Sequence, residues 1–336
     1  MRGLLVALTL SLSIITTNAA PSQWPPDRIW FTPGPGTIDM LRLFEAPEDW
    51  PQARQKINVF KFYQGQLLTE STPGDGPNRY DAFVRVDAFR QLLRWGIHIA
   101  IEAGAVKEQF CTDDASGMQA AVDLTLQSIR NVQAAGGVVT YIAMDEPFTG
   151  GGARRCGGGA FPPTADRLAV YIPAVRRAIP GIRIGLIEPY PVFTATQFAD
   201  MLRLLRDRGI SVDFLHIDAW QPDASPAREA YPRDMLQLSD LAAQYRIPFG
   251  VILWGADGDA DTIYSTYALR NADALAHTFR TWDVLPQHLI IQSWALSGTG
   301  QYLTPSNLPE TRQYTHTWLV NQIFHMLRTE SFPRRG

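Results

Sequence analysis

The sequence predicts an α/β fold, a single (β/α)8 TIM barrel, on three observations. Eight short apolar runs recur along the chain, most of them rich in β-branched and aromatic residues. Amphipathic segments with apolar positions three and four apart separate these runs. No linker is long enough to divide the chain into two domains, so one eightfold alternation accounts for all of it.

The strands are expected at "RIWFT" (28–32), "INVFKFY" (57–63), "IHIAIEA" (97–103), "VVTYIAM" (138–144), "RIGLIE" (183–188), "VDFLHIDAW" (212–220), "FGVILWG" (249–255) and "HLIIQSW" (288–294). Helices are expected at 81–95, 118–135 and 196–208, closed by Gly96, Gly136 and Gly209 in the manner of helix C-caps. The segment 47–56 carries the weakest helical pattern, 259–282 reads as two short helices, and 309–329 closes the series. A doubly wound open sheet is the competing architecture. It calls for a glycine-rich phosphate loop after its first strand, and "FTPGPGTIDM" lacks the GxGxxG spacing.

Ahead of the barrel, Arg2, the apolar core "LLVALTLSLSII" and the small-residue exit "TTNAA" have the layout of a secretory signal over residues 1–20, cut near Ala19 or Ala20. The core is too short for a membrane span. A soluble chain of about 316 residues (336 less 20) follows, secreted or periplasmic, with no membrane anchor after cleavage. The net charge of −3 becomes −4 when Arg2 leaves, which disfavours a nucleic-acid surface. Nine Trp and eleven Tyr exceed what a core requires, and the surplus is expected at a binding surface. Cys111 and Cys156 have no CxxC or HxxxH company, so neither a metal site nor any other cofactor is expected. In an oxidising compartment they read as a disulfide bracing the glycine-rich 149–159 loop. Closing 45 residues (156 less 111), it would add about 3–4 kcal/mol through chain entropy.

In such a barrel the strand C-terminal ends build the site. Those ends carry Lys61 and Tyr63 (strand two), Glu102 (three), Asp145 and Glu146 (four) and Glu188 (five). Asp218 and Trp220 end strand six, Trp254 strand seven, and Gln292 and Trp294 strand eight. Strand alternation places Glu102, Glu188, His216, Asp218, Trp220, Gln292 and Trp294 inside, with Ile99, Ile101, Ile187, Leu215, Ile217, Leu289 and Ile291 facing the helices. One of Asp145 and Glu146 faces inward and the other is left at the rim. Singly, a strand-end carboxylate is most often a helix cap or a salt-bridge partner. Four consecutive strands ending in acids are harder to explain that way, because such acids raise one another's pKa values.

Carboxylates ringed by aromatics suit glycosidic bond cleavage, in which one acid stays protonated and another ionised. Trp30, Tyr63, Tyr190, Trp220, Trp254 and Trp294 are the aromatics available to stack on sugar rings. "MDEP" at the end of strand four resembles the Asn-Glu-Pro ending of that strand in clan A (β/α)8 glycoside hydrolases, and "QSWA" resembles their strand-eight ending. The resemblance implies a general acid/base at Glu146, a sugar-site Trp294, and a polysaccharide or oligosaccharide substrate. The chain departs from that family in two places. Asp145 replaces the Asn, and "VILWGADGDAD" holds no Glu where strand seven should supply a nucleophile, only Asp257 on a glycine-flanked loop.

Three mechanisms stay open. An inverting enzyme would use Glu146 as acid with Glu188 or Asp218 as base, about 6.5–9.5 Å apart, and a retaining one needs a second carboxylate about 5–5.5 Å away. The third follows a resemblance of Asp145-Glu146 to the strand-four ending of barrel hexosaminidases that use the substrate's acetamido group. Two other classes remain: a non-catalytic carbohydrate-binding barrel, and a metal-dependent sugar-processing barrel recruiting Glu146, Glu188, His216 and Asp218.

Overall fold

A computed structural model describes residues 28–34, 37, 39–69, 78–107, 115–150, 161–219, 226–253, 268–269, 272–273, 286–292 and 306–329. Eight strands form a closed barrel: β1 (Ile29–Thr32), β2 (Val59–Tyr63), β3 (His98–Ala103), β4 (Val139–Asp145), β5 (Arg183–Tyr190), β6 (Leu215–Ala219), β7 (Phe249–Leu253) and β8 (His288–Gln292). Each pairs in parallel with its chain neighbour, and β8 closes on β1 with Ile290 opposite Trp30. This is the (β/α)8 barrel that the alternation predicts. The expected leader lies outside the described residues, as does most of 259–282.

Around the sheet run α1 (Arg42–Glu45), α2 (Pro51–Lys56), α3 (Tyr80–Arg85), α4 (Ala88–Arg94), α5 (Ala115–Ala134), α6 (Pro147–Gly150), α7 (Phe161–Ala178), α8 (Ala195–Asp207), α9 (Pro226–Tyr245) and α10 (His316–Thr329). Gly96, Gly136 and Gly209 adopt φ of +71°, +84° and +70°, the left-handed geometry that ends a helix at little steric cost. The helix expected over 81–95 is two, because Asp87 turns left-handed (φ +54°) between α3 and α4. Asp is among the few side chains that tolerate that region. No helix among the described residues is long and apolar enough to cross a membrane.

Two cores follow from strand alternation. Outward residues such as Phe31, Phe60 and Phe62 pack under the helices against Trp50, Phe83 and Phe89. Inward residues fill the barrel floor, where Trp30 is sealed from solvent by Tyr141, Phe214, His216 and His288, ring centroids 4.7–5.3 Å away. Trp30 is therefore a plug and has no face to offer a sugar, contrary to the sequence expectation.

The inward phase of β5 is the reverse of the one expected. A Cβ on Gly185 would lie 2.2 Å from the Phe214 ring, so Gly185 faces the floor, and Ile187, two residues on, faces the mouth. Glu188 consequently points between the sheet and α6. There its carboxylate accepts from the Phe148 N–H (2.7 Å), the Thr149 N–H (3.3 Å) and the Thr149 hydroxyl (2.9 Å). The alternation of apolar Ile184, Leu186 and Ile187 is ambiguous at its end. The decisive residue is the glycine, which only a crowded interior requires.

Gly185→Ala should drive a methyl into the Phe214 ring and lower stability by about 1–3 kcal/mol, read as a fall in the urea midpoint. An unchanged midpoint would put Gly185 outside the packed floor. Burial pushes the Glu188 carboxyl up to about 8, against the opposing effect of its donors. The folded chain thus keeps a proton that the unfolded chain releases near its ordinary value of 4.5. Stability is full below that value and declines as pH rises toward about 8, by up to a few kcal/mol. Melting temperatures of Glu188→Gln, which imitates the protonated form, should be flatter than wild type across that window. Parallel curves would refute the buried-acid assignment.

Candidate active site

At the C-terminal mouth of the barrel lies a cleft of about 420 Å³. Its walls are Tyr63 and Gln292 from β2 and β8, Glu102 from β3, Asp145 and Glu146 from the end of β4, Ile187 from β5 and Asp218 from β6, with Lys107 from the loop after β3. Glu102, Asp145, Glu146 and Asp218, four of the five strand-end acids singled out in the sequence, thus meet in one place.

The cleft rests on a buried polar network. Lys61 is fully buried beneath it, donating to Glu102 Oε2 and to Gln292 Oε1 (2.7 Å). Gln292 Nε2 in turn donates to Glu102 Oε2 and the Tyr63 hydroxyl, both at 3.1 Å. Lys61 was expected to touch substrate, and it instead supports three residues that line the cleft. Burial raises the Glu102 pKa, with Lys61 pulling it back.

At the rim, Glu146 takes a left-handed backbone (φ +47°) while its N–H extends the ladder to the Ile187 carbonyl (2.9 Å). This break in alternation brings both Asp145 and Glu146 to the cleft, where regular pleating would have aimed one away. Lys107 Nζ sits 2.7 Å from Asp145 Oδ2 and 3.3 Å from Glu146 Oε2. Burial raises the Glu146 pKa, Lys107 opposes this, and Asp145 adds to it. Lys107 was not singled out in the sequence, since a lysine four residues beyond a strand follows no spacing rule. Its one signal is that loops after barrel strands build sites.

Asp218 makes no ion pair among the described residues. It is only 7% exposed, and its Oδ1 has no hydrogen-bond partner among the described residues. Burial, then Glu146, Glu102 and Asp145, raises its pKa well above the ordinary carboxylate range.

Several expected site residues lie elsewhere. Glu188 is outside the cleft, in its bonds to α6. Tyr190 is buried against Tyr231 with its hydroxyl donating to Asp234 Oδ2 (2.9 Å). It has no free face for a sugar. His216 joins His288 in the floor (Nε2 to Nδ1, 2.8 Å), where burial depresses its pKa. Glu146, Glu188, His216 and Asp218 thus do not converge as one ligand set. Trp220, Trp254 and Trp294, and the cysteines Cys111 and Cys156, lie outside the described residues.

No protein-family model matches the chain, and no curated protein sequence does either. Solved structures do. The catalytic domain of a GH26 endo-β-1,4-mannanase from Bacillus sp. JAMB-750 superposes with a TM-score of 0.56 at 14% identity, covering 90% of this chain and 86% of that one. A GH26 β-mannanase from Bacteroides ovatus gives 0.54 at 12%, covering 90% of each chain. An endo-1,4-β-xylanase from Caldicellulosiruptor owensensis gives 0.54 at 10%, covering 88% and 96%. The likeness extends over nearly the whole barrel, and at these identities it is a likeness of fold.

Proposed function

We propose that this protein is an exported glycoside hydrolase that cleaves a polysaccharide or oligosaccharide by carboxylate acid/base catalysis. The observation that carries the reading is the pairing pattern inside the cleft. Lys61 neutralises Glu102 and Lys107 clasps Asp145, which leaves Glu146 and Asp218 to share what remains. Two carboxylates in one desolvated cleft, only one of them ion-paired among the described residues, suit one protonated and one ionised group. Similarity in fold to mannanases and a xylanase supports a sugar substrate.

Glu146 is assigned as general acid. Its left-handed turn holds the carboxyl at the rim, where a leaving-group oxygen enters, and burial favours its protonated form. Asp218, which β6 presents to the same cleft, is assigned as the partner carboxylate, and its buried Oδ1 has no partner among the described residues. Glu188, the other partner considered, is committed to the α6 backbone. Tyr63 and Glu102 present hydrogen-bonding groups to sugar hydroxyls, held in place by Gln292, with Trp220, Trp254 and Trp294 proposed as stacking faces.

Reducing-end release from a panel including β-1,4-mannan and β-1,4-xylan tests the assignment. Glu146→Gln and Asp218→Asn should each lose about 10²–10⁴-fold in kcat. Glu188→Gln should stay within several-fold of wild type at neutral pH. Full activity in Glu146→Gln would remove the acid assignment, and loss on chelation alone would favour the metal-dependent class. Export predicts a chain beginning near residue 20 or 21 with Cys111 and Cys156 bridged, so its intact mass should rise by two hydrogens on reduction. Two free thiols would overturn the bridge.

A further inference from the structure

We propose that Lys107 is a positioning residue for proton transfer: clamped between Asp145 and Glu146, it decides which acid of the cleft carries the mobile proton. The inference rests on reading Glu146 and Asp218 as the acid/base pair.

Geometry supports a fixed clamp rather than a wandering surface ammonium. The turn that carries Lys107 is pinned at each end: the Lys107 N–H donates to the Gly104 carbonyl (2.7 Å), and the Gly104 N–H donates to Gln64 Oε1 (3.4 Å). Gln64 is itself held by Thr125 on α5, whose hydroxyl meets Tyr171 on α7 (2.8 Å) in a buried chain. The lysine stem lies against Gly150, where a Cβ would stand 2.6 Å from Lys107 Cγ. A lysine side chain normally samples many rotamers, and this one is laid across a helix terminus with no side chain in its way. Its side chain is 27% exposed, so the charge acts at close range with only part of the screening of open solvent.

The charged groups facing this ammonium are few. Asp145 and Glu146 come from β4 and touch it, Glu102 comes from β3, and Asp218 and the buried Lys61 face the same cleft from β6 and β2. Tyr63 and Gln292 are neutral. Among the described residues, Lys61 and Lys107 stand against Glu102, Asp145, Glu146 and Asp218, so two of these four negative charges lack a described counterpart if all ionise. That crowding favours keeping a proton among them, and Lys107 determines where it is not. It stabilises Asp145 and the near oxygen of Glu146 as carboxylates, which sends the resting proton toward Asp218. A substrate hydroxyl that draws Lys107 onto Asp145 alone, or displaces it, frees Glu146 to take up the proton for donation. No covalent step is involved. The lysine remains an ammonium throughout.

The test is a site-resolved carboxyl ¹³C titration of Glu146 and Asp218 without substrate, beside the pH profile of hydrolysis, in wild type, Lys107→Met, Lys107→Arg and Asp145→Asn. Lys107→Met should raise the Glu146 midpoint by about one unit or more, the usual effect of removing an opposite charge at this range. The alkaline limb of hydrolysis should move up with it. Lys107→Arg should restore both toward wild type, and Asp145→Asn should shift Glu146 in the opposite direction. Should Lys107→Met fail to fold, the sign of the Asp145→Asn shift decides. A Glu146 midpoint that does not move in the folded Met variant, or that moves alike in all three variants, overturns the proposal. Shifts as described in a chain that cleaves no glycoside would uphold the clamp and overturn the hydrolase reading.

Discussion

The ion pair between Lys61 and Glu102 is the contact on which the mouth of the barrel depends. Lys61 has no solvent exposure, and desolvating an ammonium costs several kcal/mol unless a counter-charge and well-placed acceptors offset it. Glu102 supplies the charge and Gln292 the second acceptor, so β2, β3 and β8 are joined by side chains where their backbone ladders end. Because Gln292 also donates to Tyr63 and Glu102, every polar atom it carries is committed, and the cleft floor is fixed before any ligand arrives. Fully satisfied polar networks of this kind hold one geometry; a half-satisfied one would not.

That floor sets the electrostatics above it. Among the described residues, with Lys61 committed to Glu102, the rim acids have Lys107, and Asp218 has no ion pair and no donor to its Oδ1, Lys61 giving only the smallest of the effects on its pKa. On the proposed hydrolase reading, the sequence "VILWGADGDAD" offers no Glu, and the nucleophile or base is assigned to another strand. β6, the neighbour of β7, presents Asp218 to the same cleft. On that reading, the departure from the clan A pattern and the buried, unpaired carboxyl of Asp218 are accounted for together.

Much of this was legible in the sequence because a parallel barrel converts strand order into site composition. Eight apolar runs, three helix-ending glycines and the inward positions of Glu102, Asp218 and Gln292 follow from periods of 2 and 3.6 alone. Periodicity fails where the backbone leaves its regular path or where neighbours dictate size. Gly185 is inward because Phe214, the residue just before β6, fills its space, a fact held in another segment of the chain. Trp30 looked like a sugar platform only because composition cannot distinguish the floor of a barrel from its mouth. Lys107 reaches the cleft through a turn in which Ala105 is left-handed (φ +46°), and no local pattern announces that.

The acid that the sequence misplaced matters most to the one it placed well. A left-handed backbone at a residue with a Cβ costs about 1–2 kcal/mol, so Glu146 keeps φ +47° only if its surroundings hold it. On one side its N–H is tied to Ile187, and on the other Pro147 fixes the first residue of α6. The next two N–H groups, at Phe148 and Thr149, both donate to Glu188. Glu188 thus anchors the backbone within two residues of Glu146 from the strand that also receives the Glu146 N–H. Its burial outside the cleft makes the turn rigid, and the turn is what sets two adjacent carboxylates on one side. A regular strand end with Asp145 and Glu146 in alternate phase would leave Lys107 with one partner and the cleft with three acids. The strained turn supplies the fourth.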